Sequence, residues 1–210
     1  LATLAAVLIF IAVRMFPLRD LAAIARFGRF EFALALVTLL TVAFVGVEQG
    51  IGVAAGLAIL DRTRLSARPQ LHVLGRIPGS TSWAPLSSNE HAAQVPGVLT
   101  VLFATPLWYA NAAHFRAELE ASLTRAVGTP RLLVLDALGM SDIDYTGSLT
   151  LHKVLDELDA DHIAFAVARA GSHTRESLGH SGLLERIGQD HLFPSVDQAV
   201  TSLSPQAPVP

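Results

Sequence analysis

Apolar residues fill the first sixty positions almost without a break, whereas from about position 70 they fall into short blocks separated by polar residues. Residues 1–13 are free of charge and end at Arg14. A helix needs about 20 residues to cross a bilayer, so this run predicts only the exit half of a longer helix. Residues 17–30 place Leu18, Leu21, Ala22 and Ala25 on one helical face, with Arg19, Asp20, Arg26 and Arg29 largely elsewhere. Pro17 suits the first turn, where its missing N–H is not needed. A short basic amphipathic helix of this kind is expected to lie in a membrane interface. Residues 32–60 are apolar except for Glu48 and Gln49. One straight helix of that length would run roughly 43 Å against a hydrocarbon core of about 30 Å. A hairpin is therefore expected: residues 32–47 cross, Glu48 and Gln49 turn, and residues 50–60 return. Gly46, Gly50, Gly52 and Gly56 permit close approach between packed helices.

The second half changes period. Residues 66–97 are rich in Pro, Ser and Gly and read as mostly loop, with one strand at 71–77. Residues 98–104 then read as a strand, and 111–127 as a helix with Phe115, Leu119 and Leu123 on one face. The short continuous apolar run at 131–137 (RLLVLDA) is of the kind buried in a sheet. Residues 146–158 form a helix with Leu151, Val154, Leu155 and Leu158 inward, and 162–168 a further strand. Helices near 174–180 and 195–203 complete the series. Strands alternating with helices predict an α/β layer fold, a β-sheet packed with helices.

Charge divides at the same place. Residues 1–70 carry seven arginines against Asp20, Glu31, Glu48 and Asp61, a net of +3, while residues 71–210 carry eight basic and fourteen acidic residues, a net of −6. The arginines sit between and after the apolar runs, where a membrane protein places them. Arg14, Arg19, Arg26 and Arg29 mark one cytoplasmic segment and Arg62, Arg64 and Arg68 another, which requires an even number of crossings between them. An acidic second half excludes the electrostatic footprint of a nucleic-acid partner. A mean hydropathy of +0.47 over 210 residues fits one apolar and one water-facing part. With no cysteine, a disulfide framework and thiolate metal sites are excluded. The chain begins at Leu1 inside an apolar run, which predicts a piece of a longer polypeptide.

Motifs for chemistry are sparse. The eight histidines are scattered, with no HxH or HExxH pattern, so no metal is expected. There is no GxxxxGK[ST], GxGxxG or GxSxG sequence, and neither a cofactor nor a catalytic site is expected. Asp142 and Asp144 are two carboxylates within three residues, but no His or Lys in the same loop completes an acid–base site. Asp156, Glu157, Asp159 and Asp161 form an acidic helix end, read as a solvated face. Glu48, the ionisable group deepest in the apolar region, is placed at a hairpin tip in the interface. Asp144 and Thr146 stand at a strand exit beside a helix start. There, one of them caps the helix, or free N–H groups and the helix dipole favour a phosphate on Thr146.

Three segments in order carry a resemblance: FVGVEQGIGVAAGLAILDRTR, then LHVLGRIPGS with VPGVLTVLFATPLWYANAAHF, then RLLVLDALGMSDIDYTGSLTLHKVLDEL. Together they resemble the SulP sulfate permeases, in which a transmembrane transporter domain precedes a STAS domain. The resemblance implies a membrane α-helical segment at 1–62, a linker and first STAS strand at 63–97, the rest of the α/β STAS domain at 98–205 and a disordered tail at 206–210. It implies a secondary transporter for sulfate, bicarbonate or a dicarboxylate, multi-pass in the inner (plasma) membrane, with its STAS domain cytoplasmic. Such transporters are built from inverted repeats and bind the anion between broken helices whose N-termini offer positive dipole ends. Those helices would precede Leu1, so no residue here is assigned to substrate. The implied partners are the lipid bilayer, the anion through the upstream helices, a second copy in a homodimer, and a regulatory protein or nucleotide at the STAS domain. The alternative is a membrane-anchored STAS interaction module without transport. In STAS domains, which are similar to anti-sigma factor antagonists, a loop carries Asp-Ser-Ser-Gly. Here it reads Asp144-Tyr145-Thr146-Gly147, with Thr146 at the phosphorylatable position and Tyr145 in place of a small hydroxyl residue. The implied regulatory site is Asp144, Thr146 and Gly147.

Overall fold

A computed structural model describes residues 2–15 and 18–204, and the chain divides into two compact units, residues 1–64 and 65–210. Pro17 and the tail at 206–210, singled out above, lie outside the described residues.

The first unit is helical. α1 spans Ala2–Met15, α2 Leu18–Phe27, α3 Arg29–Phe44, and α4 runs Val47–Ala67, past the unit boundary. The amphipathic segment stops at Phe27, because Gly28 adopts an extended conformation and Arg29 begins α3. The turn expected at Glu48 and Gln49 falls three residues earlier, at Val45–Gly46. Gly46 has φ +143, a conformation that side-chain-bearing residues rarely adopt, and it ends the helix there. Glu48 then lies in the first turn of α4, where a negative charge complements the helix dipole. Gly50 is the buried glycine of this unit: a Cβ there would fall 2.2 Å from Val42 Cγ2. Around Gly52 and Gly56 the space is open. Phe10, Phe44, Ile51, Ile59 and Leu60 are exposed, so these helices do not cover one another's apolar surface. Among the described residues no helix is long and apolar enough to cross a membrane. α3 has 16 residues, and α4, with 21, carries Asp61, Arg62 and Arg64 in its last third.

The second unit is an α/β domain on one mixed sheet. Its strands are β1 (Leu71–Arg76), β2 (Trp83–Pro85), β3 (Val98–Phe103), β4 (Leu132–Asp136), β5 (Ala164–Ala168) and β6 (Leu192–Phe193). Their order is β2-β1-β3-β4-β5-β6. β1 is antiparallel to both neighbours, and β3 to β6 are parallel. The connecting helices are α5 (Ala112–Arg125), α6 (Tyr145–Ala160), α7 (Ser172–His180) and α8 (Leu183–Ile187), and α9 (Val196–Leu203) closes the domain. β2, α8 and β6 were not foreseen: each has five residues or fewer, too few for a periodic signal. Both sheet edges are short, β2 ending in Pro85 and β6 followed by Pro194.

Period-two alternation separates two cores. Leu99, Val101, Phe103, Leu133, Leu135, Phe165 and Val167 face one side, against Phe115 and Leu119 of α5, Leu151, Val154, Leu155 and Leu158 of α6, and Leu178, Leu183 and Ile187 of α7 and α8. Val98, Leu132, Val134, Ala166 and Ala168 face the other, against Val196, Ala199 and Val200 of α9. β4 is apolar throughout because both its faces are covered. α9 starts at Ser195, whose hydroxyl accepts from the Gln198 N–H at 3.1 Å, and an Arg76–Asp197 ion pair at 3.0 Å ties it to β1.

Candidate functional site

The helices that follow β3, β4 and β5 all pack on one face of the sheet. No reversal of winding opens a crevice at the strand ends, as a doubly wound sheet would have. What lies there instead is a pair of interlocked loops, 104–111 after β3 and 137–144 after β4. Leu107 pairs with Ile143 in an isolated parallel bridge. The Leu107 N–H donates to the Asp142 carbonyl, and the Asp144 N–H to the Leu107 carbonyl, both at 3.0 Å.

Asp144 is the hub of this arrangement. It is the N-cap of α6: Oδ1 accepts from the Gly147 N–H at 2.7 Å. Oδ2 accepts from the Tyr109 N–H of the other loop at 2.8 Å. A carboxylate suits this place because one oxygen satisfies a free donor of the helix start while the second bonds a backbone 35 residues away. Of the two residues considered above for the cap, Asp144 fills that place. Thr146, at the second helical position, is exposed, and its hydroxyl has no hydrogen-bond partner among the described residues. Gly147 is buried rather than open to a partner: a Cβ there would come within 2.5 Å of the Leu107 carbonyl oxygen. It lets the first turn of α6 lie directly against the 104–111 loop.

Asp142 does not join Asp144 in an acid–base pair. Its Oδ1 accepts from the Ser177 hydroxyl of α7 at 2.9 Å, while both oxygens of Asp144 are taken up by backbone N–H groups. Beside them a groove of about 390 Å³ runs between α6 and α7, walled by Tyr145, Leu149, His152, Ser177, His180 and Ser181. His152 Nε2 lies 3.0 Å from the Ser181 carbonyl, which fixes that ring. Among the described residues no three His, Asp or Glu side chains gather into a metal-binding group.

A second anchor escaped the sequence reading. Asp136, fully buried at the end of β4, pairs through both oxygens with the guanidinium of Arg169 after β5. It also accepts from the Leu138 N–H at 3.2 Å, fixing the start of the 137–144 loop. The hydrogen bond to Asp136 raises the Arg169 pKa above the ordinary arginine value; burial opposes the shift and the charge of the carboxylate adds to it. Arg169 has φ +58, a costly conformation for a residue with a side chain, held there by the pair. Neither partner belongs to a recognisable motif, so only the folded arrangement brings them together.

The profile of the STAS domain matches residues 91–199. A probable sulfate transporter of Mycobacterium tuberculosis is 34% identical over 200 residues, which is 95% of this chain and 36% of that protein. Sulfate transporter 1.3 of Arabidopsis thaliana is 27% identical over 213 residues, 98% of this chain and 32% of that protein. The structure of the murine solute carrier 26 family member A9 anion transporter superposes with a TM-score of 0.82 at 22% identity, over 92% of this chain and 32% of that one. The chain thus spans about a third of the length of the relatives it matches, and those relatives are named as transporters rather than enzymes. The chain carries a STAS domain and belongs to the STAS-domain family, as a homologue of the SulP sulfate transporters.

Proposed function

We propose that the chain is the C-terminal part of a secondary anion transporter, with residues 1–62 among its last membrane helices and the domain from residue 63 onward a cytoplasmic regulator. One observation carries this reading: the 34% identity to a probable sulfate transporter extends over 95% of the chain, so the helical unit shares the relationship with the STAS domain. The helices of the first unit expose apolar side chains such as Phe10, Phe44, Ile51 and Leu60. An uncovered apolar helix fits a bilayer or neighbouring membrane helices better than water. The arginine clusters on both sides of residues 32–60 support a cytoplasmic position for both flanks. Sulfate is the first anion to test, since the relatives are named for it, with bicarbonate and dicarboxylates as competitors. The binding helices would belong to the rest of the polypeptide, in a homodimer.

The Asp144–Gly147 loop is read as the regulatory site. A phosphate on Thr146 would add about −1.5 to −2 charges at the start of α6, where Asp144 already occupies the cap. The two anions would compete for the same N–H groups, which gives the loop two states. The test is uptake of radiolabelled sulfate by vesicles containing the full-length polypeptide. Saturable uptake is expected, unchanged by Thr146→Ala and altered by Thr146→Glu. Uptake no greater than that of empty vesicles would favour a membrane-anchored interaction module, a reading that the rigidly held exposed loops also support. Equal uptake by both variants and wild type would remove the regulatory role of Thr146.

A further inference from the structure

Beyond its core, the second unit keeps five large apolar side chains exposed among its described residues: Tyr109, Val127, Leu138, Tyr145 and Leu149. Four of the five lie on the two interlocked loops and the first turns of α6. Tyr145 is 78% exposed, Tyr109 and Leu138 63% each, and Leu149 43%. Isolated exposed apolar residues need no explanation, but a concentration of them at one end of a domain marks a contact surface. This end is also rigid. Tyr109 is tied to Asp144, Leu138 to Asp136, and Tyr145 and Leu149, one helical turn apart, form a wall of the groove against α7. A preorganised apolar surface loses little entropy on binding.

We infer that this end of the sheet is a docking surface for a cationic, apolar segment of a partner protein, with Tyr145 and Leu149 as its anchors. Charge selects the occupant. Residues 104–111 and 137–149 contain Asp142 and Asp144 and neither Lys nor Arg, on a unit whose residues 71–210 carry a net −6. Two exposed tyrosine rings offer faces to a guanidinium or ammonium, the Asp142 carboxylate offers an ion pair, and the groove accepts an apolar side chain beside them. The inference rests on the reading of the Asp144–Gly147 loop as a contact site, and it names the partner's chemistry.

The probe is a displayed library of random short peptides, selected on the full chain in lipid nanodiscs after depletion on empty nanodiscs. The expected winners carry an excess of Arg and Lys around an aromatic or aliphatic residue and bind less tightly as salt is raised. The double change Tyr145→Ala with Leu149→Ala should weaken them about tenfold or more, the size of a hot-spot loss. Val127→Ala, an exposed apolar site outside the surface, should leave them unchanged. Because all three side chains are exposed, the folded state serves as control through near-ultraviolet circular dichroism. The inference is overturned by winners without cationic excess, by no winners, or by binding that survives the double change. It is also overturned if that change instead dissolves a dimer seen by light scattering, since the occupant is then a second copy. Sulfate uptake by Thr146→Glu reports on regulation separately. Peptide binding with unaltered uptake keeps the surface and discards the regulatory role, and altered uptake without peptide binding does the reverse.

Discussion

At the scale of single residues, Asp144 and Thr146 exchange the weights that a sequence motif would assign them. The hydroxyl residue draws the eye, but Asp144 bonds both the helix start and the neighbouring loop. Asp144→Ala should therefore cost about 1–3 kcal/mol, a cap and a charged hydrogen bond together. Thr146→Ala should stay within about 0.5 kcal/mol, as for an exposed site. Urea unfolding followed by tryptophan fluorescence checks both, since Trp83 and Trp108 are the tryptophans of the chain and both lie in the second unit. Glycines divide in a similar way. Gly147→Ala forces a methyl against the backbone of Leu107 and should cost about 1–3 kcal/mol as an overpacked site. Gly179, inside α7 with only Leu184 at 3.8 Å from an added Cβ, should accept alanine and gain up to about 1 kcal/mol of helix propensity. The same denaturation curves separate the two outcomes. That Asp144 stands at a helix start was legible from its place before Thr146 and Gly147. Its bond to Tyr109 was not, because nothing local marks a contact across 35 positions.

Among the elements, those with long periodic signals were legible and those held by tertiary contacts were not. β3, β4, α5 and α6 follow from runs such as RLLVLDA and from apolar spacing on the helices. β2 and β6 exist only because longer neighbours offer them hydrogen bonds. The break between α3 and α4 falls at Val45–Gly46 because backbone conformation at one glycine outweighed the polarity of Glu48 and Gln49. The Asp136–Arg169 pair joins β4 to the residue after β5 and belongs to this scale. Arg169→Met should cost about 3–5 kcal/mol, because it leaves a buried carboxylate without its cation. Asp136→Asn in the same background should cost less than it does alone, with a coupling of about 0.5–3 kcal/mol in a double-mutant cycle. The folded-state pKa of Arg169 is raised, so from neutral pH upward the stability from the pair is fully present as far as the unfolded arginine value. It is lost as pH rises beyond that value through the folded pKa, and stability should show no step from this group between neutral and moderately alkaline pH.

On the scale of the molecule, the two units differ in how they treat apolar surface. The second unit encloses both of its clusters, so residues 65–204 expressed alone should unfold in one cooperative transition; a gradual, featureless melt would show that the domain needs its neighbour. The first unit leaves its apolar side chains uncovered, which motivates a test of topology in the cysteine-free chain. Single cysteines at Glu48→Cys and Gln70→Cys, probed in intact cells with an impermeant thiol reagent, should label from outside at position 48 only. Equal labelling at both positions would discard the hairpin. The composition split between the halves was legible from the first reading, whereas the uncovered state of the helices became visible only in the folded arrangement.

The blunt margins of the sheet have a consequence for life at high local density. A long bare strand at a margin is a template on which another chain can zip. Here one margin is three residues ending in proline and the other is two residues followed by proline. Domains crowded side by side would find no strand to extend. Such a domain is protected from fusing with its neighbours into insoluble ribbons, and recognition is left to side chains rather than to backbone pairing.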